Sequence, residues 1–344
     1  MTIPERVLIV LLGAIGDVVC GMPLAQRLRS GWPRTRIAWA VEPAAAPMLA
    51  THPAVDEVIV FQRGHGLVAL IEFLRAVRLS RPELTLDLQR HFKSGLTSFW
   101  SAAPRRIAFH SDNSREGNRL FNSEAIAPVR ELTPKLTHFL RFADYLGVPA
   151  APVSFGLAAT AAERHSVEPL LAAAGERFAA LHVGSTWPSR RWLPRPTAEL
   201  CRALRARGLG VVLVGGPADE PFALRVLAAG AGDVVNSIGH TSLRQVIAIM
   251  ERAAVAIGPD SGPMHIAAAV GTPVVALFGA TSPLRSGPWG WHHLVLRSDV
   301  PCTPCYLPHC PIGQLCMELI TPAMVLERVD AVLAGATEAR EWQE

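Results

Sequence analysis

The chain is predicted to be an α/β protein built as two similar, doubly wound halves, each a parallel sheet flanked by helices. Three observations predict it. Apolar runs of strand length alternate with helical patterns along the chain; a Pro- and Ala-rich stretch, GVPAAPVSFGL at 147–157, breaks the rhythm; the alternation then restarts. At 344 residues the chain has room for two domains of ordinary size, each closing its own hydrophobic core.

Taken in order, RVLIVLL (6–12) is a continuous apolar run that reads as a buried strand, followed by GAIGD and a helical pattern through Met22, Leu24 and Leu28, with Pro23 near its start. RIAWAVE (36–42) and DEVIVF (56–61) are the next strands, LVALIEFLRAVRL (67–79) is a helix, and LTLDLQ (84–89) is a further strand. After the break, RFAALHVG (177–184), GLGVVLVGG (208–216), DVVNSIG (233–239), AAVAIGP (253–259) and TPVVALFG (272–279) read as strands with helices between them. Two such halves are expected to hold a ligand at the carboxyl ends of their strands, in a cleft between them.

Composition narrows the class. Hydrophobic residues make up 50% of the chain, yet charges, Gly and Pro interrupt every run before the roughly 18 apolar residues that a membrane span needs. MTIPER carries a glutamate and leads straight into VLIVLL without a small-residue cleavage site, so it reads as the start of a first strand, and the protein as soluble and cytoplasmic. The net charge of +4 is uneven: residues 1–150 hold 18 Lys and Arg against 13 Asp and Glu, the remainder 15 against 16. A basic first half suits an anionic ligand or an anionic membrane face. Few aromatics lie on basic segments, which argues against a nucleic-acid reader.

Four segments carry chemistry. In GPDSGPMHIAAAVG (258–271), Asp260, Ser261 and Gly262 form the turn from a strand into a helix, with His265 one turn in. Free N–H groups and the positive end of the helix dipole make such a turn a place for a phosphate. Singly, each residue is equally an N-cap or a surface group; together at a strand end they favour an anion site. HVGSTWPSRRW (182–192) also follows a strand, and sets Ser185 and Thr186 hydroxyls beside Arg190 and Arg191, whose guanidinium groups stay charged and bind two oxygens at once. GGPADEP (215–221) closes a strand with Asp219 and Glu220, and an acid there commonly takes ribose hydroxyls. GAIGDVV (13–19) lacks the GxGxxG spacing of a dinucleotide loop but offers Asp17, where apolar neighbours would raise the pKa of a proton-accepting carboxylate.

Cys302, Cys305, Cys310 and Cys316 crowd into one Pro-rich segment. The first pair has metal-like spacing, but the later gaps are irregular, and reduced thiols packed in a loop are the expectation.

In order along the chain, LIVLLGAIGDVVCGMPLAQRLR, WAVEP, LDLQRHFKSGL, SREG (114–117), HVGSTWPSRRW, VVLVGGPADE, IGHTSL, GPDSGPMHIAAAVGTPVVALFG and CTPCYLPHCPIGQLCMELITP resemble glycosyltransferase family 9, the bacterial ADP-heptose:lipopolysaccharide heptosyltransferases. The resemblance implies the GT-B fold, two Rossmann-like domains facing a central cleft. On this chain that places an acceptor-binding domain at 1–150, a nucleotide-sugar-binding domain at 151–320, and a terminal helix at 321–344 packing back on the first domain. It implies an inverting transfer that needs no metal or other cofactor, with ADP-heptose as donor substrate. Asp17, next to Gly16, becomes the catalytic base. Ser185, Thr186, Arg190, Asp260, Ser261, Gly262 and His265 become donor-binding residues, with Glu220 on the ribose. Gly16, Arg90, Lys93, Arg115 and Glu116, with His91, meet the carboxylates and phosphates of the lipopolysaccharide inner core.

Arg190 stands where many members carry lysine, two residues before the tryptophan, which keeps the charge and changes its reach. Clustered cysteines of this kind occur in members near heptosyltransferase II and point toward addition of the second heptose. A monomer at the cytoplasmic face of the inner membrane is expected. The alternatives are a family member that moves a different sugar and a non-catalytic nucleotide-sugar-binding protein. An epimerase or dehydrogenase fits poorly, since neither Tyr145 nor Tyr306 has a lysine four residues on.

Overall fold

The structure, a computed structural model, describes residues 2–340. The chain divides into two compact units between Leu157 and Ala158. The first contains β1 (Arg6–Val10), α1 (Ile15–Gly31), β2 (Arg36–Val41), α2 (Ala46–Leu49), β3 (Glu57–Val60), α3 (Gly66–Leu79), β4 (Leu84–Asp87), α4 (Phe92–Trp100), β5 (Arg105–Ala108), β6 (Glu124–Ala125) and α5 (Lys135–Tyr145). The second contains α6 (Ala161–Ala174), β7 (Phe178–His182), α7 (Pro194–Ala206), β8 (Gly210–Val214), α8 (Glu220–Ala228), β9 (Val235–Asn236), α9 (Leu243–Arg252), β10 (Val255–Pro259), α10 (Gly262–Ala269), β11 (Val274–Phe278), α11 (Pro283–Ser286), β12 (Leu296–Arg297), α12 (Leu315–Glu318) and α13 (Pro322–Leu333).

Each unit is a six-stranded parallel sheet. The orders are β3-β2-β1-β4-β5-β6 and β12-β11-β10-β7-β8-β9. Counted from the first strand of each unit, both follow the Rossmann order 3-2-1-4-5-6, so the second unit repeats the topology of the first. The expected two doubly wound sheets are present.

The central strands are largely apolar because both their faces are covered: every residue of β7, β8, β10 and β11 is buried, His182 at the end of β7 included. On one face of the first sheet, Leu8, Val10, Ala38, Ala40 and Ile59 pack against Phe73 and Val77 of α3. On the first unit's sheet, α1 packs with α5.

The outer strands β6, β9 and β12 are two residues long, so the run at 233–239 contributes only Val235 and Asn236. The sequence pattern misses β5, whose RRIA reads as polar. Its Arg105 makes a bidentate pair with Glu124 of β6, Nε and Nη2 each 2.7 Å from a carboxylate oxygen.

The division falls at the far end of the Pro- and Ala-rich stretch because that stretch is strapped to the first unit. Arg27 donates to the carbonyls of Val148 (2.5 Å) and Pro149 (2.9 Å), and His52 Nε2 lies 2.8 Å from the Phe155 carbonyl oxygen. Within the segment expected to form the terminal helix lies α13, capped by Thr321. It packs on α7 and β11 of its own unit, held by a two-point pair between Arg207 and Asp330; residues 341–344 of the expected helical segment lie outside the described residues. Among the described residues no helix is long and apolar enough to cross a membrane.

Candidate active site

In a sheet of this order the strand direction of travel reverses beside the first strand, and the loops that leave the two central strands diverge to leave a crevice. Those loops follow β1 and β4 in the first unit and β7 and β10 in the second. Asp17, Gln89 and Arg90 occupy the first pair, and Ser185, Thr186, Asp260 and Ser261 the second. Of the residues selected by motif, Asp17 and Arg90 thus stand at the first switch point and Ser185, Thr186, Asp260 and Ser261 at the second, whereas Arg115 and Glu116 follow β5 and Glu220 follows β8.

In the first unit, Gln89 clamps the end of β1. Its Oε1 accepts from Leu12 N (2.9 Å) and its Nε2 donates to Gly13 O (3.2 Å). Asp17 lies in the first turn of α1 beside Gly16, where its charge favours the helix dipole. The environment differs from the apolar one expected for it. Lys135 Nζ donates to Asp17 Oδ1, and both side chains are about one-third exposed (28% and 30%). Lys135 opens α5, where a cation opposes the dipole; the carboxylate of Asp17 offsets that cost. Sequence reasoning missed Lys135, and its unfavourable place at a helix start was the available signal.

The expected acceptor-side residues of the first unit are each held by other partners. Arg90 has a left-handed backbone (φ 70°), lies over the Phe109 ring at 3.9 Å, places Nη2 3.0 Å from His138 Nδ1 and pairs with Glu131 at 3.6 Å. It is buried. Lys93 pairs with Glu42 at 2.8 Å, and Glu42, at the end of β2, also meets Arg63 at 3.7 Å. Glu116 accepts from Phe92 N at the start of α4 and lies 3.1 Å from His91 Nδ1; the Phe92 N–H, followed by His91, holds its carboxyl below the usual range. Arg115 is exposed, while its backbone N–H donates to the Arg90 carbonyl at 2.8 Å. Beneath them Asp87 is fully buried; burial pushes its pKa up, and hydrogen bonds from Asn118, Ser94, Gln89 and Asn122 work against that rise.

In the second unit, Asp260 is the hub. It is 5% exposed, and its Oδ2 accepts from Thr281 Oγ1 (2.6 Å) and Ser286 Oγ (3.3 Å) and pairs with Arg190 Nη1 (3.4 Å). The Arg190 guanidinium lies 4.0 Å over the Trp187 ring, and its Nε is buried without a hydrogen-bond partner. Ser185 Oγ reaches the Asp260 carbonyl at 3.5 Å, the limit of a hydrogen bond, and Thr186 follows it in the same loop. Ser261 stands at the N-cap of α10 but turns its hydroxyl to the Pro259 carbonyl (2.9 Å), so no side chain caps the helix and the N–H of Gly262 faces outward from the first turn. His265 lies half-buried one turn further on.

Of the two acids after β8, Asp219 meets this loop. Its carboxylate accepts from Gly216 N (3.1 Å) and faces Arg191 (3.7 Å), whereas Glu220 is exposed in the first turn of α8. Gly184 is required by the same contact, since a Cβ there would lie 2.2 Å from the Asp219 carboxylate. Thr281 and Ser286 were not singled out by motif, because their contacts with Asp260 join loops far apart in sequence.

The cysteine-rich segment braces this site. Ser189 donates to the carbonyls of Leu307 (Oγ, 2.5 Å) and Pro308 (N, 3.1 Å), and Gln314 Nε2 donates to Pro188 O (2.6 Å), so residues 307–314 fix the 188–190 turn that carries Arg190. Cys302 is exposed and Cys316 buried; burial raises the Cys316 thiol, and the nearby Cys302, Cys310 and Cys305 raise it further. Among the described residues no group of three or more His, Cys, Asp or Glu is arranged to hold a metal ion.

Two Rossmann sheets of the same strand order in tandem are the architecture of the GT-B type. Residues 70–315 match the family described as glycosyltransferase family 9 (heptosyltransferase), and the chain belongs to that family. The lipopolysaccharide core heptosyltransferase OpsX of Haemophilus influenzae is 26% identical over 83% of this chain and 82% of its own. A family 9 glycosyltransferase from Veillonella parvula superposes with a TM-score of 0.85 at 22% identity, covering 96% of this chain and 98% of that one. The ADP-heptose lipopolysaccharide heptosyltransferase II of Escherichia coli superposes with a TM-score of 0.78 at 23% identity, covering 96% and 99%.

Proposed function

We infer that the protein transfers heptose from ADP-heptose to the inner core of lipopolysaccharide, onto Kdo-lipid A or heptosyl-Kdo-lipid A, with inversion at the anomeric carbon. Supporting this reading is the opposite chemistry of the two switch points: the Asp17 carboxylate beside Lys135 in the first unit, and the α10 N-terminus with Arg190 in the second. The first unit holds the acceptor and the second the nucleotide sugar.

In the reaction, Asp17 takes the proton of the acceptor hydroxyl as that oxygen bonds to the anomeric carbon. The bond from that carbon to the diphosphate oxygen breaks, and the electron pair leaves with ADP. Charge on the leaving diphosphate is met by the Gly262 N–H, the hydroxyls of Ser185 and Thr186, and Arg190. This assigns the counter-charge to the protein itself. Lys135 is a positioning residue that holds one oxygen of Asp17, so the other is oriented for the proton. Asp260 positions Arg190, and Asp219 is the better placed acid for the ribose. The enzyme acts in the cytoplasm, at the inner leaflet that carries its lipid-linked acceptor.

The test is ADP release with ADP-heptose and each of the two heptose-deficient core acceptors. Acceptor-dependent release that collapses in Asp17→Asn, with ADP binding retained, supports the reading. Turnover with a hexose donor and none with ADP-heptose would assign the chain to a different sugar.

A further inference from the structure

We propose that α3 is an interfacial helix that seats the first unit on an anionic phospholipid surface. The inference rests on the reading above for its purpose, since a lipid-linked acceptor requires work at a leaflet, but not for its evidence.

The outward face of α3 carries the proposal. Its inner face is accounted for, because Phe73 and Val77 are buried against the sheet with Leu70 and Leu74 beside them. The outer face is apolar where a solvated helix would be polar: Leu67 is 69% exposed, Val68 68% and Ile71 56%. Leu67, Ile71, Arg75 and Arg78 follow one another at helical spacing, so an apolar end grades into a basic one along a single stripe. Arg63 before the helix and Arg81 after it are also exposed, and Glu72 is the one acid on α3. No ion pair among the described residues engages Arg75, Arg78 or Arg81.

Apolar side chains followed by Arg75, Arg78 and Arg81, which no described carboxylate pairs, match a bilayer interface, where the former enter the acyl boundary and the latter meet lipid phosphates; Arg63, on the other side, is shared with Glu42. A neutral protein partner would leave those charges unmatched. Position agrees: α3 begins at the carboxyl end of β3, the sheet edge at which Asp17 follows β1. Its neighbour α4 adds Phe92, 50% exposed, at the same edge, and Leu120 beside α4 is 88% exposed.

The test is co-sedimentation of the full chain with phosphatidylglycerol-containing and pure phosphatidylcholine vesicles at low and high salt, alongside the variants L67S/V68S/I71S and R75E/R78E. All these positions are exposed, and circular dichroism checks that the variants fold. Binding to the anionic vesicles that weakens with salt, and falls at least about tenfold in each variant, is expected. Activity on a delipidated, soluble core acceptor is expected to be unchanged in both variants. Equal binding by wild type and variants, or none to anionic vesicles, would overturn the proposal. So would self-association, abolished by L67S/V68S/I71S, in place of vesicle binding. Vesicle binding without heptose transfer would sink the functional reading and leave this one standing.

Discussion

Lys135 Nζ donates to Asp17 Oδ1, joining the first residue of α5 to the first turn of α1. The pair fixes the orientation of the Asp17 carboxylate at the β1 switch point. Asp17→Asn is expected to lower kcat by about 10²- to 10⁴-fold, the usual contribution of a general base, with ADP affinity retained. Lys135→Ala should lower kcat by about tenfold with little change in donor KM, and Lys135→Arg should recover part of the loss. Steady-state kinetics with varied donor separates the two parameters; a Lys135→Ala enzyme of full kcat would remove the positioning role.

Arg190 carries a positive charge to the second switch point and is held there by Asp260 and Trp187. Arg190→Ala should cost about 10²-fold in kcat, as removal of a donor to developing charge does. Arg190→Lys keeps the charge but loses the planar stack on Trp187, so an intermediate loss is expected. ADP titration by calorimetry should show weaker binding in both. Unchanged kinetics in Arg190→Ala would place the leaving-group charge elsewhere.

Gly184 passes the Asp219 carboxylate so closely that a methyl group has no room. Gly184→Ala is expected to push Asp219 away from Gly216 and Arg191 and to destabilise the second unit by about 1–3 kcal/mol, as overpacking does. Thermal melting with and without ADP reads both effects. An unaltered melting temperature and ADP shift would show that the loop relaxes without cost.

Glu163 supplies an acid-labile part of the second unit's stability. Hydrogen bonds from Arg244, with the Thr160 cap, hold its carboxyl down to about 2, while the unfolded chain titrates near the ordinary value of about 4.3. The folded value is depressed, so the stabilisation is complete above the unfolded value and is lost as pH falls from about 4 to about 2. Solvent screening of this partly exposed pair keeps it to about 1–2 kcal/mol. Glu163→Gln should be less stable than wild type at neutral pH, and the difference should shrink toward pH 2. Denaturant melts across that range give the answer; a difference independent of pH would assign the effect to packing.

Thiol reactivity should follow burial. Cys302 is exposed, whereas burial pushes the Cys201 thiol up to about 12. Brief alkylation of the native protein at pH 8, read by mass spectrometry, should modify Cys302 first and leave Cys201 untouched until the chain unfolds. Early labelling of Cys201 would indicate that α7 opens readily from the sheet.

Much of this protein was legible in one dimension because its information is local. Continuous apolar runs mark strands buried on both faces, and β1, β7, β8, β10 and β11 lie where those runs stand. Asp17 and the Asp260-Ser261-Gly262 turn were equally visible, since a strand end followed directly by a helix start fixes where such residues face. The two-residue edge strands and the polar β5 were not, because pairing to a neighbour, and not their own composition, makes them strands.

What tertiary structure alone decided are the partnerships between distant loops. Only folding brings Lys135 to Asp17, across more than a hundred residues of chain, and Thr281 and Ser286 to Asp260. It faced Asp219 toward Arg191 while leaving the adjacent Glu220 exposed, and it turned Arg90 inward onto Phe109. The sequence by itself determined which residue types stand at the ends of which strands. Their orientation and pairing were decided by packing, because hydrogen bonds and ion pairs act over a few ångströms in space, whatever the separation along the chain.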